Sequence, residues 1–159
     1  MADRSKLGME FPSYTMTVEK SKIAEFAMAV ALKEEKAEIN PVYHDEASAK
    51  KAGYRGITVP PTFMTSFVLW TGNGLQEIIK ALSVDISRLL HSEEEFEYYG
   101  SINAGDTITR KMKVVEMYDR GKRGKVGRFA EVTILETEVT NQRGELVAKI
   151  RTTAVERVR

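Results

Sequence analysis

The chain of 159 residues contains no cysteine, only two histidines, four prolines and a single tryptophan. Without cysteine there can be no disulfide, no thiolate metal site and no cysteine nucleophile. The two histidines, His44 and His91, are far apart in the chain, so neither a histidine-based metal site nor a bound cofactor is expected. No charge of one sign dominates: 24 basic residues stand against 23 acidic ones, for a net charge of +1. That balance gives no electrostatic reason to expect nucleic acid or an anionic membrane as partner. No apolar run approaches transmembrane length, and the N-terminus lacks the apolar core of a secretory signal. A cytoplasmic protein is the default expectation.

What the chain does have is enough apolar residue, 42%, for one core, and a length that suits one domain. Residues 1–13 show no periodicity and read as a loose lead-in. "SYTMTVEK" alternates and reads as a strand. Ser21 is placed to cap a helix on which Ile23, Phe26, Ala27 and Val30 recur at helical spacing. A short helix over Ala47 to Ala52 should stop at Gly53. Pro60-Pro61 suits a first helical turn, and "TFMTSFVLWTG" after it is apolar nearly all round, so that helix should be buried. "LQEIIKAL" predicts a second, amphipathic helix.

From Ser87 the pattern changes to long, β-rich, partly alternating segments separated by "SINAG", "GKRGKVG" and "NQRG". These predict a long antiparallel meander of four strands. The basic stretch Arg120 to Arg128 reads as a solvated hairpin tip, or as a contact for the phosphates of a carrier or nucleotide tail. The fold class expected is α+β, a long antiparallel β-sheet wrapped around a buried central helix.

Three strings carry a resemblance: Asn40-Pro41-Val42-Tyr43-His44-Asp45, Ala49 to Ile57, and Val59-Pro60-Pro61-Thr62-Phe63. With the glycine-aspartate turn in "INAGDTIT", they resemble the N-terminal domain of MaoC-like dehydratases, over residues 14–159. The resemblance implies a single hot-dog domain and the chemistry of (3R)-hydroxyacyl-ACP dehydratases and (R)-specific enoyl-CoA hydratases. Active members carry Asp-x-Asn-Pro-x-His and a later His-Gly pair. Handling a water and an α-proton needs an acid and a base, and a backbone N–H at a helix start polarises the thioester carbonyl.

Here Glu38 stands in the aspartate place, Tyr43 in the histidine place, and His44 one residue late. Glu38, Tyr43 and His44 are the catalytic candidates. Each has a plainer reading: a solvated carboxylate, a packing tyrosine, and a histidine turned out of the cleft, with Asp45 capping the following helix. Pro60-Pro61 replaces His-Gly, and proline has no N–H to offer. Asn40, Pro60, Thr62, Phe63, Phe67 and Trp70 are the substrate-binding candidates. Against these stand a turn role for Asn40, local capping by Thr62, and simple core packing for the aromatics. His91 reads as a surface or interface residue.

Two functional readings stay open. One is an acyl-chain-binding, catalytically degenerate subunit that pairs with an intact MaoC-like partner. The other is a self-sufficient hydratase or dehydratase with a rearranged site; a hot-dog thioesterase is more distant. Either implies an acyl-CoA or acyl-ACP thioester as ligand, and a homodimer or a heterodimer with a second hot-dog subunit, because an open sheet edge invites pairing.

Overall fold

Alternating apolar and polar residues in the C-terminal half build the sheet on which everything else rests. The computed structural model describes residues 3–31, 38–67, 74–121 and 128–157. Its strands are β1 (Tyr14–Thr17), β2 (Leu89–Tyr98), β3 (Thr107–Gly121), β4 (Arg128–Thr140) and β5 (Leu146–Arg157). Its α-helices are α1 (Lys20–Ala31), α2 (Glu46–Lys51) and α3 (Gly74–Leu82). The strands form one antiparallel sheet in the order β1-β3-β4-β5-β2. This is the α+β, single hot-dog arrangement.

Three local features differ from the sequence expectation. First, only β3, β4 and β5 run as a meander; β2 crosses the sheet to pair with β5 at the far edge. The "SINAG" turn cannot fold back as a hairpin because it is already paired with the motif segment. Val59 N–H donates to the Ile102 carbonyl at 3.1 Å and Ala104 N–H to the Ile57 carbonyl at 2.8 Å.

Second, the lead-in is not loose. Phe11 N–H bonds the Met112 carbonyl, Gly8 N–H bonds the Val114 carbonyl, and Phe11 is buried. β1 covers β3 only from Thr107 to Arg110, so the lead-in satisfies edge groups that would otherwise lack partners. Third, α1 begins at Lys20, ahead of Ser21, and Val30 is 53% exposed; Ile23 and Ala27 alone are its buried residues.

Facing side chains on the inner sheet surface change along the strands. Val139, Ala148 and Tyr98 stand in one cross-strand row, and Thr137, Ile150 and Phe96 in the next. This end packs against Ile57, Val59, Phe63, Met64 and Phe67 to form the main core. Leu135, Thr152 and Glu94 follow, then Thr133, Ala154 and His91. That second end lies under α3, with Leu82, Met112 and Leu135 in a smaller core. The expected buried helix is described only as far as Phe67, where Phe63, Met64 and Phe67 are 2% exposed or less; the rest of it lies outside the described residues.

Candidate functional site

The motif segment folds by local hydrogen bonds. The Asn40 side-chain oxygen accepts from Val42 N–H at 3.2 Å and starts a 3-10 turn over Pro41–Tyr43. Asp45 accepts from Ser48 N–H at 2.8 Å and caps α2, which Gly53 ends at a φ of +92° that favours glycine. His44 is exposed, and its Nε2 lies 3.5 Å from the Ile39 carbonyl. Glu38 is exposed too. Tyr43 is half-buried against the main core. Burial, and then the neighbouring Tyr54, raises its pKa above the ordinary tyrosine value. At neutral pH it can donate a hydrogen bond and cannot act as a base.

The turn into the buried segment is closed on itself. Pro60 is buried, while Pro61 and Thr62 are exposed. Phe63 N–H donates to the Pro60 carbonyl at 3.0 Å, and the Thr62 side chain makes no capping bond. The Tyr98 hydroxyl donates to the Pro61 carbonyl at 2.6 Å. Burial, and then the nearby Tyr43, pushes the Tyr98 pKa up to about 12. Phe63 sits edge-on between Phe26 and Phe67, with ring centroids 5.3 and 5.5 Å away.

Residues outside the expected site set hold this region together. The Asp106 carboxylate is buried and accepts from Arg55 Nη2 at 2.8 and 2.9 Å, from Asn103 N–H at 2.8 Å and from Gln142 Nε2 at 3.1 Å. The buried Asn103 donates through Nδ2 to the Gly56 carbonyl at 2.9 Å. Burial is the largest influence on the Asp106 carboxyl and opposes ionisation. The bonds from Arg55, Asn103 and Gln142 together outweigh it and hold the pKa below the usual carboxylate value. The two sequence strings, "GYRG" and "INAGD", are therefore physically joined. Gly105, at a φ of +87°, makes the turn that presents Asp106. That glycine-aspartate pair was the only sequence signal for the network.

Room for a ligand lies at the other end. A cavity of about 310 Å³ opens between α3 and the sheet. Leu75, Ile78, Ile79 and Leu82 form its roof, and Met112, Leu135, Thr152 and Ala154 form its floor. Thr65 is the one lining residue from the turn that follows the prolines. At the wall His91 Nε2 and Glu94 Oε2 are 2.7 Å apart. The buried Glu156 closes the far side, held by Arg88 Nη2 at 2.8 Å.

Phe63 and Phe67 belong to the main core and do not line this cavity. Trp70 lies outside the described residues, as do Lys122, Arg123 and Lys125 of the basic stretch Arg120 to Arg128. Among the described residues no group of three or more histidine, aspartate or glutamate side chains could hold a metal ion. No helix there is long and apolar enough to cross a membrane.

Comparison with known proteins agrees with the fold. Residues 5–150 match the family described as "FAS1-like, dehydratase domain region". A UPF0336 protein of Saccharopolyspora erythraea is 31% identical over 149 residues, covering 92% of this chain and 91% of that protein. Among solved structures, the HadBC (3R-hydroxyacyl-ACP dehydratase) complex of Mycobacterium tuberculosis superposes with a TM-score of 0.73 at 24% identity, over 94% of this chain and 96% of that one. A MaoC-like dehydratase of Rhodospirillum rubrum superposes with a TM-score of 0.67 at 17% identity, over 100% and 98%.

Proposed function

The chain belongs to the FAS1-like dehydratase domain region family, alongside the UPF0336 proteins, and we propose that it is the substrate-binding, catalytically degenerate subunit of a (3R)-hydroxyacyl dehydratase or enoyl hydratase pair. The observation that carries this reading is the closed turn at Pro60-Pro61-Thr62-Phe63. An enoyl thioester gains enolate charge on its carbonyl oxygen during hydration, and a preorganised N–H must meet that charge. Pro60 and Pro61 have no N–H and the Phe63 N–H is already given to the Pro60 carbonyl, so the turn keeps only the N–H of the exposed Thr62. The acid/base candidates do not offset that loss. Glu38 and His44 face solvent, and Tyr43 stays protonated.

The cavity under α3 suits the other half of the task. It begins at Thr65, beside the turn, and is lined mostly by aliphatic side chains. A methylene takes roughly the room of a water molecule, ~30 Å³, so a chain of about ten carbons fits. The acyl thioester would place its chain here, and a second hot-dog subunit would supply the acid/base pair. The HadBC dehydratase is itself described as a complex.

The test is a pair of measurements on the purified protein. Decanoyl-CoA should bind, by calorimetry, while crotonyl-CoA is hydrated very slowly or not at all, with His44→Ala no different from wild type. A rate near that of active hydratases, abolished by His44→Ala, would overturn the degenerate-subunit reading and establish a rearranged enzyme.

A further inference from the structure

The outer face of the sheet carries a pattern that neither the motif nor the cavity uses. In cross-strand register, Lys111 of β3 stands opposite Glu138 of β4, Glu138 opposite Lys149 of β5, and Lys149 opposite Glu97 of β2. One row along, Lys113, Glu136, Arg151 and Glu95 repeat the same order. Charge alternates from strand to strand, which is the favourable arrangement for side chains directly opposite each other.

Ion pairs follow these rows. Lys149 Nζ lies 3.3 Å from Glu138 and 4.0 Å from Glu136. Arg151 pairs with Glu116, also on β3. On the far side Lys113 Nζ reaches Glu10 of the lead-in at 3.7 Å, so the alternation extends there by one more acid. At the other edge it ends on an acidic strand. Glu93, Glu95 and Glu97 of β2 are all exposed, with the Tyr99 hydroxyl bonded to Glu97. β2 is the terminal strand of the sheet, so among the described residues its outer backbone groups face no further strand.

We propose that the strand which pairs with the outer edge of β2 carries lysine or arginine opposite Glu95 and Glu97, and so belongs to a different chain rather than to a second copy of this one. The inference rests on the reading that a second hot-dog subunit docks here edge to edge. It adds what that subunit must look like. Directly opposite residues in an antiparallel pair share a sheet face. Any self-pairing centred between Glu93 and Glu97 therefore sets glutamate against glutamate, the unfavourable arrangement. A basic strand would instead add one more member to each row, in the same alternation that β3, β4, β5 and β2 already follow.

The experiment uses this chain as its own surrogate partner. Wild type, Glu95→Lys/Glu97→Lys and their equimolar mixture are compared by sedimentation and native mass spectrometry, with hydrogen exchange on the β2 amides and no substrate present. The mixture should form a mixed dimer about tenfold tighter than either chain alone, protected at β2 and weakened by salt. Glu95→Gln/Glu97→Gln, which adds no lysine beside Lys149 and Arg151, should self-associate more tightly than wild type. If wild type alone pairs through β2 as tightly as the mixture, the charge inference falls while edge docking stands. Monomers in every sample would overturn edge docking itself, and with it the inference.

Discussion

The two ends of the inner sheet face are built on opposite principles. At the motif end, the rows Val139-Ala148-Tyr98 and Thr137-Ile150-Phe96 meet Phe63, Met64 and Phe67 in the main core. The polar side chains that hold the motif loop are turned on one another and on its backbone: Asp106 on Arg55, Asn103 and Gln142, and Tyr98 on Pro61. Two rows along, Thr133-Ala154-His91 lies under α3 and borders about 310 Å³ of space. The apolar residues of the family strings, Ile57, Val59 and Phe63, thus sit in the main core. The space is lined, among the described residues, by none from the family strings; Thr65, two residues beyond Phe63, comes nearest in sequence.

Breaking the full end should have the largest effect. Phe67→Ala removes a ring that is 2% exposed and packed edge-on against Phe63. A loss of about 3–5 kcal/mol is expected in urea unfolding, because a core so closely packed collapses only partly around a lost ring. A loss below about 1 kcal/mol would mean that this end is looser than its packing implies.

The next effect down separates the polar network from the apolar core around it. Asp106→Asn keeps the shape but loses the charge that Arg55, Asn103 and Gln142 address, and should cost about 2–3 kcal/mol. Arg55→Ala should cost less than about 1 kcal/mol, because Arg55 is 57% exposed and solvent screens its pair. The carboxyl is held below its unfolded value, so its contribution is fully present above about pH 4. It is lost as pH falls through the lowered, folded pKa. The gap between wild type and Asp106→Asn in a pH series of unfolding curves should therefore narrow below pH 4. A gap that stays constant to pH 2 would remove Asp106 ionisation from the account.

Much of this was legible in the sequence, and the gaps have physical causes. Local rules place the Asp45 cap, the Gly53 stop and the long strands, since each depends on residues a few positions apart. β2 was legible as a strand but not as the neighbour of β5, because alternation says which face a residue takes and nothing about which strand lies beside it. The lead-in escaped notice because it is fixed by backbone bonds, which leave no trace in side-chain periodicity. Arg55 and Asp106 are 51 residues apart, and no local pattern couples them. The cavity arises from how far α3 stands from the sheet. Its lining residues, scattered over α3 and strands β2 to β5, look in sequence like any core set.

The smallest expected change in stability is at the open end, and it sharpens the contrast most. Ala154 lies between Thr133 and His91 in cross-strand register, on the cavity floor. In a filled core, enlarging an alanine forces neighbours off their rotamers and costs about 1–3 kcal/mol. Here Ala154→Met has space to enter and aliphatic side chains to meet, so stability should change by less than about 1 kcal/mol, with gain more natural than loss. Methionine suits the test because it is unbranched and adapts to irregular gaps. The same side chain shortens the room left for a ligand by roughly three methylene-sized volumes, at ~30 Å³ each. Decanoyl-CoA should then bind about tenfold or more weakly, since each buried methylene contributes about 0.8 kcal/mol, while butyryl-CoA is unaffected. Calorimetry on both ligands beside an unfolding curve separates the outcomes. Weaker decanoyl binding at unchanged stability places the chain under α3; unchanged binding of both ligands would move it elsewhere.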